Sequence, residues 1–408
     1  MADPLYEDFD PEVDFTRMTL CEACAKHDSL KRFVAKHAVL GPVCGICQRV
    51  DTPYGACDVG QKFQLTNLVK ALVRFFYHEY EYNHHWGGDH QPEALLATAN
   101  PILEDTHGPG FERSPGKSAD FLYDLFSAEP YPPVDKGVSV YAGFGPNGER
   151  HLAFAISDSP SWMLRDLSER LASENPFDVE PEVDAIIERI GTRIDKRVVV
   201  GSSFYRCRIG TAKRWERHTW DWKPNIRHQP YQAGELGAPP PPSANSGRLN
   251  REGVAFLYLA SDQHTAAAEV RPHPGHLLSV GQYRAARDVR IAAFEADIAE
   301  FCGSEADLNL FHFIHAVDQT MARPVLPGAT GRYTVTQLVA DCLRRRGFDG
   351  VSFQSSVANG QNLCVFRPDT FAYVEDSAAV LSVKALAYTL EDAPMLLAPE
   401  DGDYDLES

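Results

Sequence analysis

The stretch GRLNREGVAFLYLASDQHTAAAEVRP, residues 247–272, decides how this chain is read. It opens out of an irregular segment, residues 236–245, with four consecutive prolines at 239–242. Residues 255–260 then read as a strand and residues 263–270 as a helix whose small-residue run ends in an acid. Three side chains on this path carry chemistry. Arg248 offers a planar fork that matches phosphate oxygens. Tyr258 offers an apolar ring for stacking and a hydroxyl for orientation. Glu269 offers a carboxylate that can stabilise a developing positive charge. Taken singly, each has a bland reading as a loop arginine, a packed strand tyrosine or a solvated helix face. Taken together they suit a dinucleotide whose glycosidic bond is to be broken. Nicotinamide leaves such a bond already cationic, so it needs no general acid. The difficulty lies in the oxocarbenium-like sugar, and a carboxylate beside the ribose meets it.

Working outward, residues 198–207 read as a strand region and residues 336–346 as a short amphipathic helix ended by Gly347. Residues 351–353 and 363–366 read as strands flanking the polar turn SSVANGQ. Upstream, residues 63–82 carry a wide apolar stripe at helical spacing. Further helices are expected at 92–99, 118–127, 160–171 and 181–196, with Pro181 at a helix start, and an extended region at 137–156. The organisation predicted is an acidic arm (1–18), a cysteine-bearing segment (19–60), a mainly helical region (61–196), a catalytic domain (197–376) and an acidic tail (377–408).

Several separated blocks follow one another along the chain. They are Tyr205-Arg206, then Gly247-Arg248 with Asn250 and Gly253, then the strand Leu257, Tyr258, Leu259, Ala260, then Ala266 with Glu269. Gly347-Phe348-Asp349-Gly350, Ser355, and Gly360, Asn362, Leu363 and Phe366 complete them. In these residues the chain resembles the RES-domain family, over roughly residues 198–374. The resemblance implies an α+β fold: an ADP-ribosyltransferase-like mixed β core with helices, preceded by a mainly helical N-terminal domain. It implies NAD+ as substrate, degradation of NAD+ as activity, and a toxin restrained by an inhibitory antitoxin-like protein. It places Arg248, Tyr258, Glu269 and Ser355 at the catalytic positions and Arg206 at a second phosphate or sugar contact, with Asn250 and Ser356 as further substrate contacts. Two positions depart from the pattern: Leu249 stands for an aromatic and Phe353 for a tyrosine. Ala267 stands where transferases acting on protein arginine carry a second glutamate, so water or phosphate is the expected acceptor. Nothing around Ser355 has the order of a nucleophile elbow, which gives it a hydrogen-bonding role.

Cys21-x2-Cys24 and Cys44-x2-Cys47 have the spacing of a closed tetrahedral zinc site, so a structural zinc ribbon is predicted, with His27 and Cys57 as spare ligands. With the following helix, this segment resembles the HEPN-like domain that precedes some RES domains. Arg74 and His78 stand closer than the usual arginine–histidine pair of HEPN ribonucleases, and His84, His85 and His90 form a histidine-rich patch.

The bulk numbers narrow the class. A net charge of −18 over 408 residues disfavours nucleic acid as partner. There is no apolar run of membrane-spanning length and no basic–apolar leader, and an odd count of nine cysteines argues against a disulfide framework. A cytoplasmic enzyme is expected, with oligomeric state left open. The competing readings are an ADP-ribosyltransferase acting on a macromolecule, and an RNA-targeting HEPN-like module with a degenerate RES domain.

Overall fold

The computed structural model describes residues 19–41, 43–47, 49, 56–57, 62–78, 102–103, 154–218, 224–322 and 333–387. In the N-terminal part, a short 3-10 turn, Glu22–Cys24, leads to helix α1 (Asp28–His37) and a small ribbon of β1 (Ala38–Val39) with β2 (Ala56–Cys57). Helix α2 (Lys62–Phe76) follows, then α3 (Trp162–Ser173) and α4 (Pro176–Ile190). The expected helix at 63–82 is therefore α2, with residues 79–82 outside the described residues, as are the helices at 92–99 and 118–127 and most of the extended region at 137–156. Residue 156, at the end of that region, lies in a turn.

Helix α4 corrects its predicted start. It begins five residues before Pro181, because Asn175 caps it by accepting a hydrogen bond from the Phe177 amide and Pro176 sits at its first position. Pro181 lies inside it. The helix stops at Gly191, whose φ of 53° lies in the left-handed region.

The C-terminal part is built on a nine-stranded sheet. Its strands are β3 (Asp195–Val198), β4 (Ser203–Ile209), β7 (Leu257–Ala260), β8 (Leu277–Ala285), β9 (Val289–Ala293), β10 (Gly350–Gln354), β11 (Gln361–Val365), β12 (Phe371–Tyr373) and β13 (Ala379–Ser382). Between β4 and β7 the hairpin β5 (Lys213–His218) and β6 (Pro224–Gln229) forms its own two-stranded ribbon. The spatial order is β12-β8-β4-β7-β11-β10-β9-β3, with β13 also on β8. β10 runs parallel to β9 and the other pairings are antiparallel, so the sheet is mixed. Helices α5 (Gln263–Glu269), α6 (Glu305–Ala322) and α7 (Thr334–Arg345) complete it. The architecture is α+β, a mixed sheet preceded by helices. The region read as one strand at 198–207 is two, divided at Gly201 with φ 84°. β13 lies beyond the boundary expected at residue 376, so the sheet continues into what reads as the acidic tail.

Strand alternation sorts the side chains. On β7, Leu257 and Leu259 join one apolar cluster with Tyr283, Ile291 and Val365, while Tyr258 packs on the opposite face against the larger core. That larger core is continuous from Leu30 and Leu72 through Val183 and Phe313 to Leu338 and Phe353. Arg32 of α1 reaches Asp297 at 2.6 Å, which ties the N-terminal part to the approach to α6.

Asp349 explains one sequence block. It is buried, and its carboxylate accepts hydrogen bonds from Arg287, Arg367 and the Arg290 amide. Burial alone would raise its pKa, but those donors outweigh it and hold the group at about 2. Gly350 beside it admits no side chain, since a Cβ there would stand 2.4 Å from the Cys364 carbonyl oxygen across the β10–β11 pair.

Candidate active site

A cavity of about 410 Å³ opens where β4, β7 and β11 meet α5. Arg206, Arg248, Tyr258 and Glu269 all line it, together with Tyr205, Arg271, Tyr333, Phe353 and Asn362. Four of the residues singled out from the sequence are thus brought to one cavity.

Glu269 arrives at the end of α5. Asp262 caps that helix, accepting from the Thr265 amide at 2.8 Å and the Thr265 hydroxyl at 2.7 Å. Buried Ala266 lets the helix lie close to β4. The Glu269 carboxylate is braced through one oxygen. Its Oε1 accepts from Ser355 Oγ at 2.7 Å and from Asn362 Nδ2 at 2.7 Å. Its Oε2 has no protein partner among the described residues, and it is the oxygen available to a ligand.

Ser355 is buried behind the carboxylate, off the cavity wall. Its turn is held by its amide donating to the Gly360 carbonyl at 3.0 Å and by the Val357 amide donating to its Oγ. This turn sits directly on the start of α5. A Cβ at Gly360 would fall 2.2 Å from Thr265 Oγ1 and 2.4 Å from Asp262 Oδ2, so any side chain there would displace the groups that cap α5. Ser356 is exposed and outside the cavity lining, which corrects its reading as a substrate contact.

Arg248 is anchored from behind. Its Nη1 donates to the carbonyls of Met321 and Ala322, the last two residues of α6, where the negative end of the helix dipole suits a guanidinium. Its Nε and Nη2 have no partner among the described residues. Gly247 before it is required by close approach, since a Cβ would stand 2.4 Å from Asn250 Oδ1.

Asn250 is also corrected. Its Nδ2 donates to the carbonyls of Asn245, Arg251 and Val254, and its Oδ1 accepts from the Tyr258 hydroxyl at 2.8 Å. A buried amide with its capacity spent in this way pins the loop and orients the tyrosine. It is not a wall of the cavity. The Tyr258 hydroxyl also accepts from the Leu249 amide, and burial pushes the phenol well above its ordinary pKa. With the hydroxyl so engaged, the ring is the part of Tyr258 left to a ligand. Leu249 points into the main core. Arg206 donates to the Tyr258 carbonyl at 3.2 Å, and burial lowers its pKa.

Sequence reasoning quoted Asn362 within a family block without giving it a role, and passed over Arg271. Asn362 had a signal: a polar residue inside the apolar strand β11. Arg271 had none beyond following the helix that ends in Glu269.

The family model of the RES domain matches residues 213–390. The chain carries a RES domain. The match takes in the Arg248, Tyr258, Glu269 and Ser355 blocks and leaves the N-terminal part without a family assignment. A search of solved structures returned a chain of the crystal structure of the M. tuberculosis MbcT–MbcA toxin–antitoxin complex. It is 12% identical, covers 49% of this chain and 92% of that one, and has a TM-score of 0.26. The search of curated proteins gave no match.

Outside the RES domain, Cys21, Cys24, Cys44 and Cys47 converge with all four sulfurs within 4.8 Å of one another. Cys21 and Cys47 Sγ stand 3.7 Å apart, against an edge of about 3.8 Å for a tetrahedron with bonds of about 2.3 Å. The donor set fits a four-thiolate metal. His27 does not join the four-sulfur cluster, and its Nδ1 accepts from the Ser29 amide and caps α1. The side chain of Cys57 lies outside the described residues. Arg74 donates to the Phe154 carbonyl, and His78 Nδ1 accepts from the Ala155 amide, so both hold the chain at 154–155. His84, His85 and His90 lie outside the described residues. Among those described, no helix is long and apolar enough to cross a membrane.

Proposed function

We propose that the RES domain cleaves the nicotinamide–ribose bond of NAD+. The observation that carries this reading is the shared cavity: a carboxylate fixed through one oxygen, with a tyrosine ring and two anchored guanidinium groups lining the same cavity. In the reaction, the bond from ribose C1′ to the pyridine nitrogen breaks and its electron pair leaves with nicotinamide, which becomes neutral. Glu269 Oε2 faces the cationic sugar. Water or phosphate adds its oxygen to C1′ and sheds a proton to solvent, giving ADP-ribose or its phosphate ester. Arg248 and Arg206 take the pyrophosphate oxygens, and the Tyr258 ring stacks on a base. Ser355, from behind, and Asn362, on the cavity lining, position the carboxylate.

Transfer to a protein arginine is disfavoured, since Ala267 supplies no second carboxylate. Purified chain with NAD+ as the one nucleotide and no added macromolecule should release nicotinamide. A requirement for an added acceptor would favour the transferase reading instead. An enzyme that drains NAD+ must be restrained in its own cell, which is why an inhibitory protein partner and a cytoplasmic location belong to this proposal.

For the N-terminal part, the proposal is a structural zinc held by Cys21, Cys24, Cys44 and Cys47. The ion would cross-link the two knuckles on either side of α1, with no open position for chemistry. Elemental analysis of protein purified without chelator should find about one zinc per chain. Metal-free protein with unaltered thermal stability would refute it.

A further inference from the structure

Three guanidinium groups line the cavity, and they are not equivalent. Arg206 is tied to the Tyr258 carbonyl and Arg248 to the end of α6. Arg271 is exposed at the rim, and its side chain has no hydrogen bond or ion pair among the described residues. Its backbone is unusual. With φ at 47° it occupies the left-handed region, which residues bearing a Cβ rarely adopt. It also precedes Pro272, which pushes the residue before it toward extended geometry. The Arg271 amide closes the helix end by donating to the Ala268 carbonyl at 2.9 Å. Glycine would satisfy this turn without strain, yet the position carries a cation two residues from Glu269.

We infer that Arg271 is a third diphosphate contact of this cavity, the free one that closes on phosphate oxygens already seated on Arg248 and Arg206. This rests on the proposal that the cavity takes a pyridine dinucleotide, and names how it separates that substrate from a nucleoside. The two anchored arginines define a fixed floor. Arg271 supplies a free planar fork at the mouth, able to close on the phosphate oxygens of a ligand already seated. Dinucleotides and ADP-type ligands are then favoured over pyridine nucleosides, which have no phosphate to offer. Backbone strain is retained where the side chain is used.

The test uses the full chain and the variants Arg271→Gly and Arg271→Lys, with ADP as the binding probe in calorimetry and NAD+ as substrate. Arg271→Gly should weaken ADP binding about tenfold or more, the scale of one lost charge-assisted contact. It should raise KM for NAD+ in step and keep kcat within about twofold, while thermal stability stays level or rises because the strain is gone. Arg271→Lys should recover part of the affinity. Opposite movement of stability and affinity is a signature that a structural role would not give. The inference is overturned if wild-type chain does not bind ADP, if Arg271→Gly binds ADP normally, or if it loses kcat or stability with KM unchanged. The two proposals fail separately. ADP binding that depends on Arg271 in a chain that leaves NAD+ intact would sink bond cleavage alone. NAD+ cleavage indifferent to Arg271 would sink recognition alone.

Discussion

Glu269→Gln is expected to lower kcat for nicotinamide release by about 100- to 1,000-fold, the scale of losing one preorganised electrostatic contact to a developing charge. Affinity for NAD+ should change little. The substitution keeps shape, and the amide oxygen of the new side chain can still accept from Ser355 and Asn362, which in the native protein hold Oε1 at 2.7 Å. On the proposed reaction, what it removes is the negative charge that faces the sugar as C1′ becomes cationic. That interaction is stronger in the transition state than in the ground state, so the loss belongs in kcat and not in KM. Single-turnover kinetics beside equilibrium binding separates the two. A variant with near wild-type turnover would mean that the carboxylate does not stabilise the sugar cation.

The second large effect concerns stability. Asp349→Asn should destabilise the RES domain by on the order of 3 kcal/mol. The Arg290 amide weakens its acceptor and the Arg287–Arg367 pair loses its shared anion. The figure sits at the low end for a broken buried pair because both arginines are about half exposed and water can reach them. For a unit of this size the midpoint should fall by roughly 6–12 °C. The pH dependence has a definite sign. The folded carboxylate has its pKa lowered to about 2, below its value in an unfolded chain near 4. Its stabilisation is therefore fully present above about pH 4 and is lost as pH falls from 4 toward 2. Denaturant unfolding of wild type and variant should show the full difference at pH 7 and a reduced one at pH 3. An equal gap at both values would mean that charge is not what Asp349 contributes.

The sequence made some of this legible for clear physical reasons. β7 and α5 could be read because alternation and a small-residue run ending in an acid are local signals. The glycines of these blocks were visible as letters, but their reasons were not. Gly350 marks a close approach across a strand pair, Gly360 one to side chains distant in sequence, and Gly247 one to the side chain of Asn250 as the loop closes on itself, which only the fold exposes. Asn250 was misplaced for a related reason. Its residue type suits a ligand contact, and that its amide is consumed by three loop carbonyls depends on how residues 245–254 close on themselves. Ser356 was misplaced likewise, since the turn after β10 delivers Ser355 behind Glu269 and leaves Ser356 exposed. α4 was started late because Pro181 is a plausible first-turn residue, and Asn175-Pro176 holds that role more strongly. β8, β9 and α6 were not read at all, although α6 supplies the carbonyls that hold Arg248.

The most direct measurement is a mass balance on NAD+ incubated with purified full-length chain, with and without inorganic phosphate and with no other macromolecule. The account predicts stoichiometric free nicotinamide together with ADP-ribose or its phosphate ester, and neither product from Glu269→Gln on the same timescale. NAD+ recovered intact, or nicotinamide released equally by the variant, would contradict it.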